Sequence, residues 1–217
     1  MSKRFKSLKD LQDAVDLDFV TRRNELSLFK KLVERNKTNE HGRVYAKNLI
    51  SVLYSHWEGF IKYSSECLIK FISHLDLKNN EINIGLFAIS ELEKLKEYQE
   101  SNVALKILAL KNILLNQDKK SFIPYDYSIA TYSNLRTEVL VEICNILGID
   151  EKNYETKVGI IDEKLANNRN DIAHGRLVRI TADESLEIFD LVFPLLENFK
   201  TDILNRALLL HYLKYKT

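Results

Sequence analysis

Glycine and proline are scarce in this chain. Its 217 residues include only six Gly and two Pro, Pro124 and Pro194. Turn-rich β architectures need more of both residues, whereas the abundant Leu, Ile, Lys, Glu and Asn favour long helices. The composition therefore predicts an all-α or nearly all-α protein. The chain is also long enough to bury a substantial core without covalent links.

Cysteine is equally rare. Cys67 and Cys144 stand far apart, and neither belongs to a CxxC motif or a Cys/His cluster. This spacing argues against a disulfide framework and against a zinc site. We therefore expect both thiols to be buried as small apolar side chains, and we expect no metal and no cofactor.

A charge excess and long apolar runs are also missing. The chain has 32 basic and 31 acidic residues, a net charge of +1. Proteins that coat nucleic acid carry a large basic excess, so this balance argues against extensive duplex binding but is compatible with a local phosphate site. No apolar run approaches the roughly 20 residues of a membrane span. The basic segment Met1–Lys6 lacks the apolar core of a signal peptide, so we expect a cytoplasmic protein without membrane contact.

Amphipathic helices are what the chain does contain. Capping-box patterns at Ser7/Asp10 and Thr181/Glu184 mark two helix starts, and Gly148 and Gly175 mark two helix ends. Apolar periodicity predicts helices over about residues 8–36, 43–75, 86–98, 102–116, 132–147, 157–173 and 183–213. Residues 176–181 alternate and predict a brief extended stretch. We interpret residues 76–130 as a helical and loop insertion packed on an up-and-down bundle, within one domain over residues 1–217.

One short segment concentrates residues suited to chemistry: Asn168-Arg169-Asn170-Asp171-Ile172-Ala173-His174-Gly175. Arginine supplies a permanent cation with a forked set of donors, and histidine exchanges protons near neutral pH. Metal-free attack on a phosphodiester needs these two functions side by side. Asn170 and His174 share a helix face, but Arg169 and His174 lie about 140° apart in a regular helix. Three arrangements would bring them together. The long arginine side chain could reach around the helix, the last turn could be distorted, or a second chain could contribute one of the two residues across a two-fold axis.

At these residues the chain resembles HEPN domains, which are short helical bundles often found as RNases in toxin–antitoxin, anti-phage and RNA-processing systems. Arg169-Asn170-(three residues)-His174 matches their R-polar-x3-H signature. Upstream, Tyr54-Ser55-His56-Trp57-Glu58-Gly59-Phe60 is similar to the Y-x-H-W-E-G-F segment of the MAE-type HEPN nuclease group. That group also carries the R-N-x-I-A-H-G element well downstream. The ordered pair of motifs covers the chain and implies an all-α, HEPN-like bundle.

The resemblance implies a homodimer that cleaves RNA without a metal, in a toxin or anti-phage role. His174 would act as general acid or base, Arg169 would stabilise the phosphorane, and Asn170 would orient the phosphate or the imidazole. Glu58 would orient His174 or anchor Arg169, and Trp57 is expected to be a core or dimer-interface anchor. RNA and an antitoxin or defence-system protein are the expected partners. Arg176 stands where HEPN partners of minimal nucleotidyltransferases often carry a modified tyrosine, which argues against such a partner.

Two other interpretations remain open. A histidine near a helix C-terminus is favoured by the helix dipole alone, so the motif also fits a non-catalytic HEPN module that binds RNA or a protein. It also fits a plain helical interaction domain in which the motif builds only the dimer interface. The presence of Arg169, Asn170 and His174 together disfavours a degenerate copy of the motif.

Overall fold

The computed structural model describes residues 5–97 and 102–214, and this part of the chain is all-α, which confirms the predicted fold class. The helices are α1 Leu8–Arg35, α2 Gly42–Ile72, α3 Ile84–Glu97, α4 Val103–Leu115, α5 Thr137–Leu147, α6 Lys152–Glu155, α7 Asn168–Ala173 and α8 Ala182–Lys214. A 3₁₀ turn, Asn79–Glu81, precedes α3, and a π-helix, Gly159–Asn167, runs directly into α7. None of the described helices is both long and apolar enough to cross a bilayer.

Two of the long helices begin at the capping boxes that the sequence predicts. At α1, the Ser7 hydroxyl accepts from the Asp10 backbone N–H at 3.1 Å, and the Asp10 carboxylate accepts from the Ser7 N–H at 2.9 Å. At α8, Glu184 accepts from the Thr181 N–H at 2.7 Å, and the Thr181 hydroxyl accepts from the Glu184 N–H at 3.2 Å. Each box satisfies backbone donors that a helix start leaves unpaired, so local chemistry sets where both helices begin.

The core forms where α1, α2 and α8 pack against one another. α2 lies at the centre, because its buried residues face α1 and α8 and it also contacts α5, α7 and the π-helix. Phe60 of α2 meets Phe19 of α1 edge to face, with ring centroids 5.5 Å apart. Cys67 and Cys144 are both buried, as predicted. Burial raises the pKa of the Cys67 thiol to about 11 and that of Cys144 to about 12, which keeps both protonated at neutral pH.

The start of α5 corrects the sequence prediction. A helix was expected from about residue 132, but α5 begins only at Thr137. The preceding loop contains Tyr132 with φ 55° and Ser133 with φ 52°, and neither angle is compatible with a right-handed helix. Asp162 of the π-helix caps α5 by accepting from the Thr137 N–H at 2.7 Å and from its hydroxyl at 3.0 Å. A residue distant in sequence therefore decides where this helix begins.

The predicted helix over residues 157–173 is helical for most of its length, but nine residues near its start, Gly159–Asn167, form a π-helix. The wider i→i+5 turns of a π-helix rotate the residues that follow it relative to a continuous α-helix.

The predicted stop at Gly175 is confirmed, because this residue has φ 67°. The expected extended stretch over residues 176–181 is not helical and pairs with no strand in the described part of the chain. α8 continues through Pro194.

Candidate functional site at the end of α7

The last turn of α7 places His174 at an exposed helix end. Its backbone N–H donates to the Asn170 carbonyl at 3.0 Å, and the Gly175 N–H donates to the Ile172 carbonyl at 3.1 Å. A Cβ added to Gly175 would meet nothing within 4 Å. The glycine is therefore explained by its left-handed backbone conformation and not by crowding. The result is an imidazole that faces solvent where the helix ends.

Arg169 points from the same helix towards the core. Its guanidinium carbon lies 3.7 Å from the centroid of the Tyr54 ring, a cation–π arrangement. Its Nη2 donates to the Ser133 carbonyl at 2.8 Å and lies 3.9 Å from Oε2 of Glu58. The Arg169 side chain keeps 21% of its surface exposed, whereas its Nε is buried and has no hydrogen-bond partner in the described structure. Two separate segments, α2 and the loop before α5, therefore hold the half-buried guanidinium of Arg169.

Two residues of α2 form the floor beneath Arg169. Tyr54 and Glu58 are four residues apart and share a helix face, so both reach α7. The Tyr54 hydroxyl accepts from the Leu135 backbone N–H at 2.6 Å. Burial and the nearby Glu58 carboxylate raise the pKa of Tyr54, so it remains a neutral phenol under Arg169. Tyr54 was not predicted as a site residue from the sequence, although its i, i+4 spacing from Glu58 was the signal that could have identified it.

The remaining motif residues do not converge within one chain. The Asn170 amide nitrogen lies 3.4 Å from the Asn134 side-chain oxygen, a long contact. No contact joins the side chains of Arg169 and His174 in the described residues. Of the two roles considered for Glu58, the structure brings it to Arg169 and not to His174. Arg169 and His174 thus differ in burial, because Arg169 is packed against α2 and His174 is exposed.

The other half of the α2 motif faces away from α7. Trp57, which was expected to be a core or dimer-interface anchor, is fully buried within the single chain, and its indole N–H has no partner among the described residues. His56 faces α1, where its Nε2 lies 3.4 Å from Oε2 of Glu25. Burial lowers the pKa of His56, and the charge of Arg22 acts in the same direction, whereas Glu25 and Asp18 oppose the shift. His56 is therefore a structural residue of the α1–α2 contact.

The lowered pKa of His56 predicts a pH dependence of stability. The unfolded state takes up a proton near the ordinary histidine pKa of 6.5, whereas the folded state resists it. The free energy of unfolding is therefore highest above pH 6.5 and falls as the pH drops through 6.5 towards the lower, folded pKa. We expect His56→Gln to reduce this fall, as measured by urea unfolding at pH 7.5 and at pH 5.5. Identical losses in wild type and His56→Gln would contradict this assignment.

No group of three or more His, Cys, Asp or Glu side chains that could hold a metal ion occurs within residues 5–97 and 102–214.

An all-α bundle that carries an Arg-polar-x3-His element at the end of a helix packed on its central helix is the arrangement of a HEPN domain. The family model described as RiboL-PSP-HEPN matches residues 17–205, so the chain belongs to this family. The match confirms the predicted HEPN resemblance but does not confirm the MAE-type subgroup. Comparison with curated proteins and with solved structures finds no match to the chain.

Proposed function

We propose that this chain is a metal-independent endoribonuclease that acts as a homodimer. The observation that carries the proposal is the placement of the two motif residues on α7. A half-buried Arg169 is held over Tyr54 near a carboxylate 3.9 Å away, and an exposed His174 stands at the end of the same helix. A partly desolvated cation interacts more strongly with a phosphate than an exposed one does. The family supports the proposal, because HEPN domains are often RNases.

The proposed reaction uses the ribose 2′-hydroxyl as nucleophile. One His174 accepts the 2′-hydroxyl proton while O2′ attacks phosphorus, and Arg169 stabilises the negative charge that grows on the phosphorane. A protonated His174 then gives its proton to the departing 5′-oxygen as the P–O5′ bond breaks. The products are a 2′,3′-cyclic phosphate and a 5′-hydroxyl. Asn170 orients the phosphate or the imidazole, and DNA is not cleaved because it lacks the nucleophile.

The site is proposed to be complete only in a dimer. Within one chain, no hydrogen bond or ring contact joins the side chains of Arg169 and His174 in the described structure, and Arg169 is already held by the Tyr54 ring and the Ser133 carbonyl. A two-fold axis beside α7 would place the outward His174 of each chain near the Arg169 of its partner, because isologous contacts are reciprocal. Glu58 holds Arg169 in position, and Trp57 supports the helix that carries Glu58.

The small net charge of the protein is relevant to how it would bind RNA and to its proposed role as a toxin or anti-phage effector. A net charge of +1 argues against coating of RNA along its length, so we place binding at a few phosphates of the site. This suits an enzyme that samples and cuts many accessible RNAs, as a toxin or anti-phage effector does. Such an activity needs restraint in the cell, and an antitoxin or defence-system protein is the proposed partner.

The second candidate is a HEPN module that binds RNA or a protein without cleaving it. The observation in its favour is that Arg169 already donates to Ser133 and lies near Glu58 within its own chain. A guanidinium occupied in this way contributes to the fold even if it never meets a phosphate.

An assay of RNA cleavage distinguishes the two candidate functions. Wild-type protein in EDTA is expected to cut a single-stranded RNA and to leave 2′,3′-cyclic phosphate ends. The same oligonucleotide made wholly with 2′-deoxyribose is expected to remain intact, and His174→Ala should cleave the RNA at least about a hundredfold more slowly. Binding without cleavage in wild type would favour the second candidate, as would equal product formation by wild type and His174→Ala.

A further inference from the structure

The loop before α5 is the most strained part of the described backbone. Tyr132 has φ 55° and Ser133 has φ 52°, and these two consecutive positions are the non-glycine residues with positive φ in residues 5–97 and 102–214. Left-handed backbone angles are unfavourable for both side chains, and neither is the Asn or Asp that tolerates them best. Strain of this kind persists where the surroundings impose it, and it clusters at functional sites.

The residues that hold the loop in this strained conformation belong to the proposed site. Arg169 donates to the Ser133 carbonyl at 2.8 Å, and the Asn170 amide nitrogen lies 3.4 Å from the Asn134 side-chain oxygen. Two adjacent residues of the R-N-x3-H element thus contact two adjacent residues of the loop.

Both ends of the loop are fixed in the core. Thr131 and Leu135 are buried, and the Asn134 N–H closes the turn by donating to the Thr131 carbonyl at 3.0 Å. The Leu135 N–H donates to the hydroxyl of Tyr54, the ring on which Arg169 lies. The loop and the catalytic cation are therefore parts of one rigid unit.

The residue at the tip of this unit is an exposed aromatic. Tyr132 keeps 73% of its surface accessible although its backbone is held in a strained conformation in the short loop between the buried residues Thr131 and Leu135. Its Cα lies about 3.8 Å from that of Ser133, as in any trans peptide. The Tyr132 ring is thus one residue away from the carbonyl that binds Arg169. A loop that served only to cover α7 would need neither the strain nor an exposed ring.

We propose that Tyr132 forms a nucleobase-binding subsite beside the scissile phosphate. This inference rests on the proposed RNA cleavage and specifies its substrate class. A phosphate held at Arg169 carries its nucleoside within reach of the neighbouring residue, and an exposed tyrosine ring stacks on a base whatever its identity. Stacking requires an unpaired base, so the substrate is single-stranded RNA or the loop of a folded RNA. The rigid loop holds the ring in place before the RNA arrives, which lowers the entropic cost of binding.

The test measures binding separately from cleavage. The probe is a fluorescein-labelled, single-stranded 2′-O-methyl oligonucleotide, which lacks the nucleophile and cannot be cut, and its binding is followed by anisotropy. Tyr132→Asn removes the ring but tolerates a positive φ, and it is expected to weaken binding about tenfold. Tyr132→Phe keeps the ring and should bind within about twofold of wild type. Phe122→Asn is the matched control, because Phe122 is equally exposed, at 74%, in a different loop, and it should bind as wild type does.

Cleavage of unmodified RNA then shows whether the loss of the Tyr132 ring affects substrate binding or the chemical step. Tyr132→Asn is expected to raise KM about tenfold with little change in kcat, because the ring contacts the base and not the reacting atoms. Wild-type affinity in Tyr132→Asn would overturn the subsite while leaving cleavage, and hence the proposed function, intact. Equal weakening in Tyr132→Phe and Tyr132→Asn would also overturn it. Failure of the wild-type protein to bind the probe would also overturn the proposed subsite. If wild type binds the probe but does not cut RNA, the proposed function fails, and the anisotropy series alone decides on the subsite.

Discussion

A heterodimer of Arg169→Ala and His174→Ala chains is expected to cleave RNA at least about tenfold faster than either variant homodimer, although each homodimer is at least about a hundredfold slower than wild type. The Arg169→Ala homodimer keeps two histidines but no cation for the phosphorane. The His174→Ala homodimer keeps two cations but no proton shuttle. Only the heterodimer carries one Arg169 and one His174, and they come from different chains.

The structure motivates this expectation, because Arg169 is packed against α2 with 21% of its side chain exposed, whereas His174 is exposed at the end of α7. Arg169 is fixed towards α2 by the Tyr54 ring at 3.7 Å and by the Ser133 carbonyl at 2.8 Å. A rotation of Arg169 towards His174 in the same chain would break both contacts. A second chain offers a second His174 without this loss, provided that the two-fold axis passes beside the ends of both α7 helices.

The measurement uses chains co-expressed with two different affinity tags, so that tandem purification yields the heterodimer alone. Cleavage is followed as the initial rate of release of a labelled RNA fragment in EDTA. The matched control pairs a His174→Ala chain with a chain that carries both substitutions, and it should show no recovery. A purified heterodimer no faster than the homodimeric variants would show that Arg169 and His174 do not cooperate between chains.

Trp57→Ala is expected to lower the free energy of unfolding by about 3–5 kcal/mol, the largest stability effect of any change in the two motifs. Trp57 is fully buried in α2, the helix at the centre of the core. Removal of the indole loses its transfer free energy and leaves a cavity that rigid helices cannot close. A loss of this size is a large part of the total stability of a domain.

Trp57→Phe separates this role from a role at the site. The indole N–H has no partner among the described residues, so phenylalanine forfeits no hydrogen bond and keeps most of the apolar contact. We expect it to cost less than about 2 kcal/mol and to leave the cleavage rate per folded molecule unchanged. Urea unfolding followed by circular dichroism gives the stabilities. A folded Trp57→Phe protein that had lost cleavage would show that Trp57 acts at the site and not only in the core.

The candidate site could be predicted in part from the sequence. Arg169, Asn170 and His174 were selected as candidates because their residue types and spacing lie within one short segment and can be read locally. Glu58 was paired with this segment by family resemblance, and the structure brings it within 3.9 Å of Arg169. The loop carrying Tyr132 and Ser133 was mistaken for helix, because its conformation depends on bonds from Arg169 and Tyr54 that lie far away along the chain. Ser133 and Asn134 are residue types common in turns, and they were a local indication of the loop.

The sequence by itself determined the helical class, the capped starts of α1 and α8 and the order of the two family motifs. Each of these depends on interactions between residues a few positions apart, such as Ser7 with Asp10. Only the tertiary structure decided which way the motif residues face. The π-helix Gly159–Asn167 rotates α7 out of the register that an α-helical period assumes, and packing on α2 then turns Arg169 inward and leaves His174 in solvent. These outcomes depend on contacts between segments 36 or more residues apart, and no local pattern encodes them.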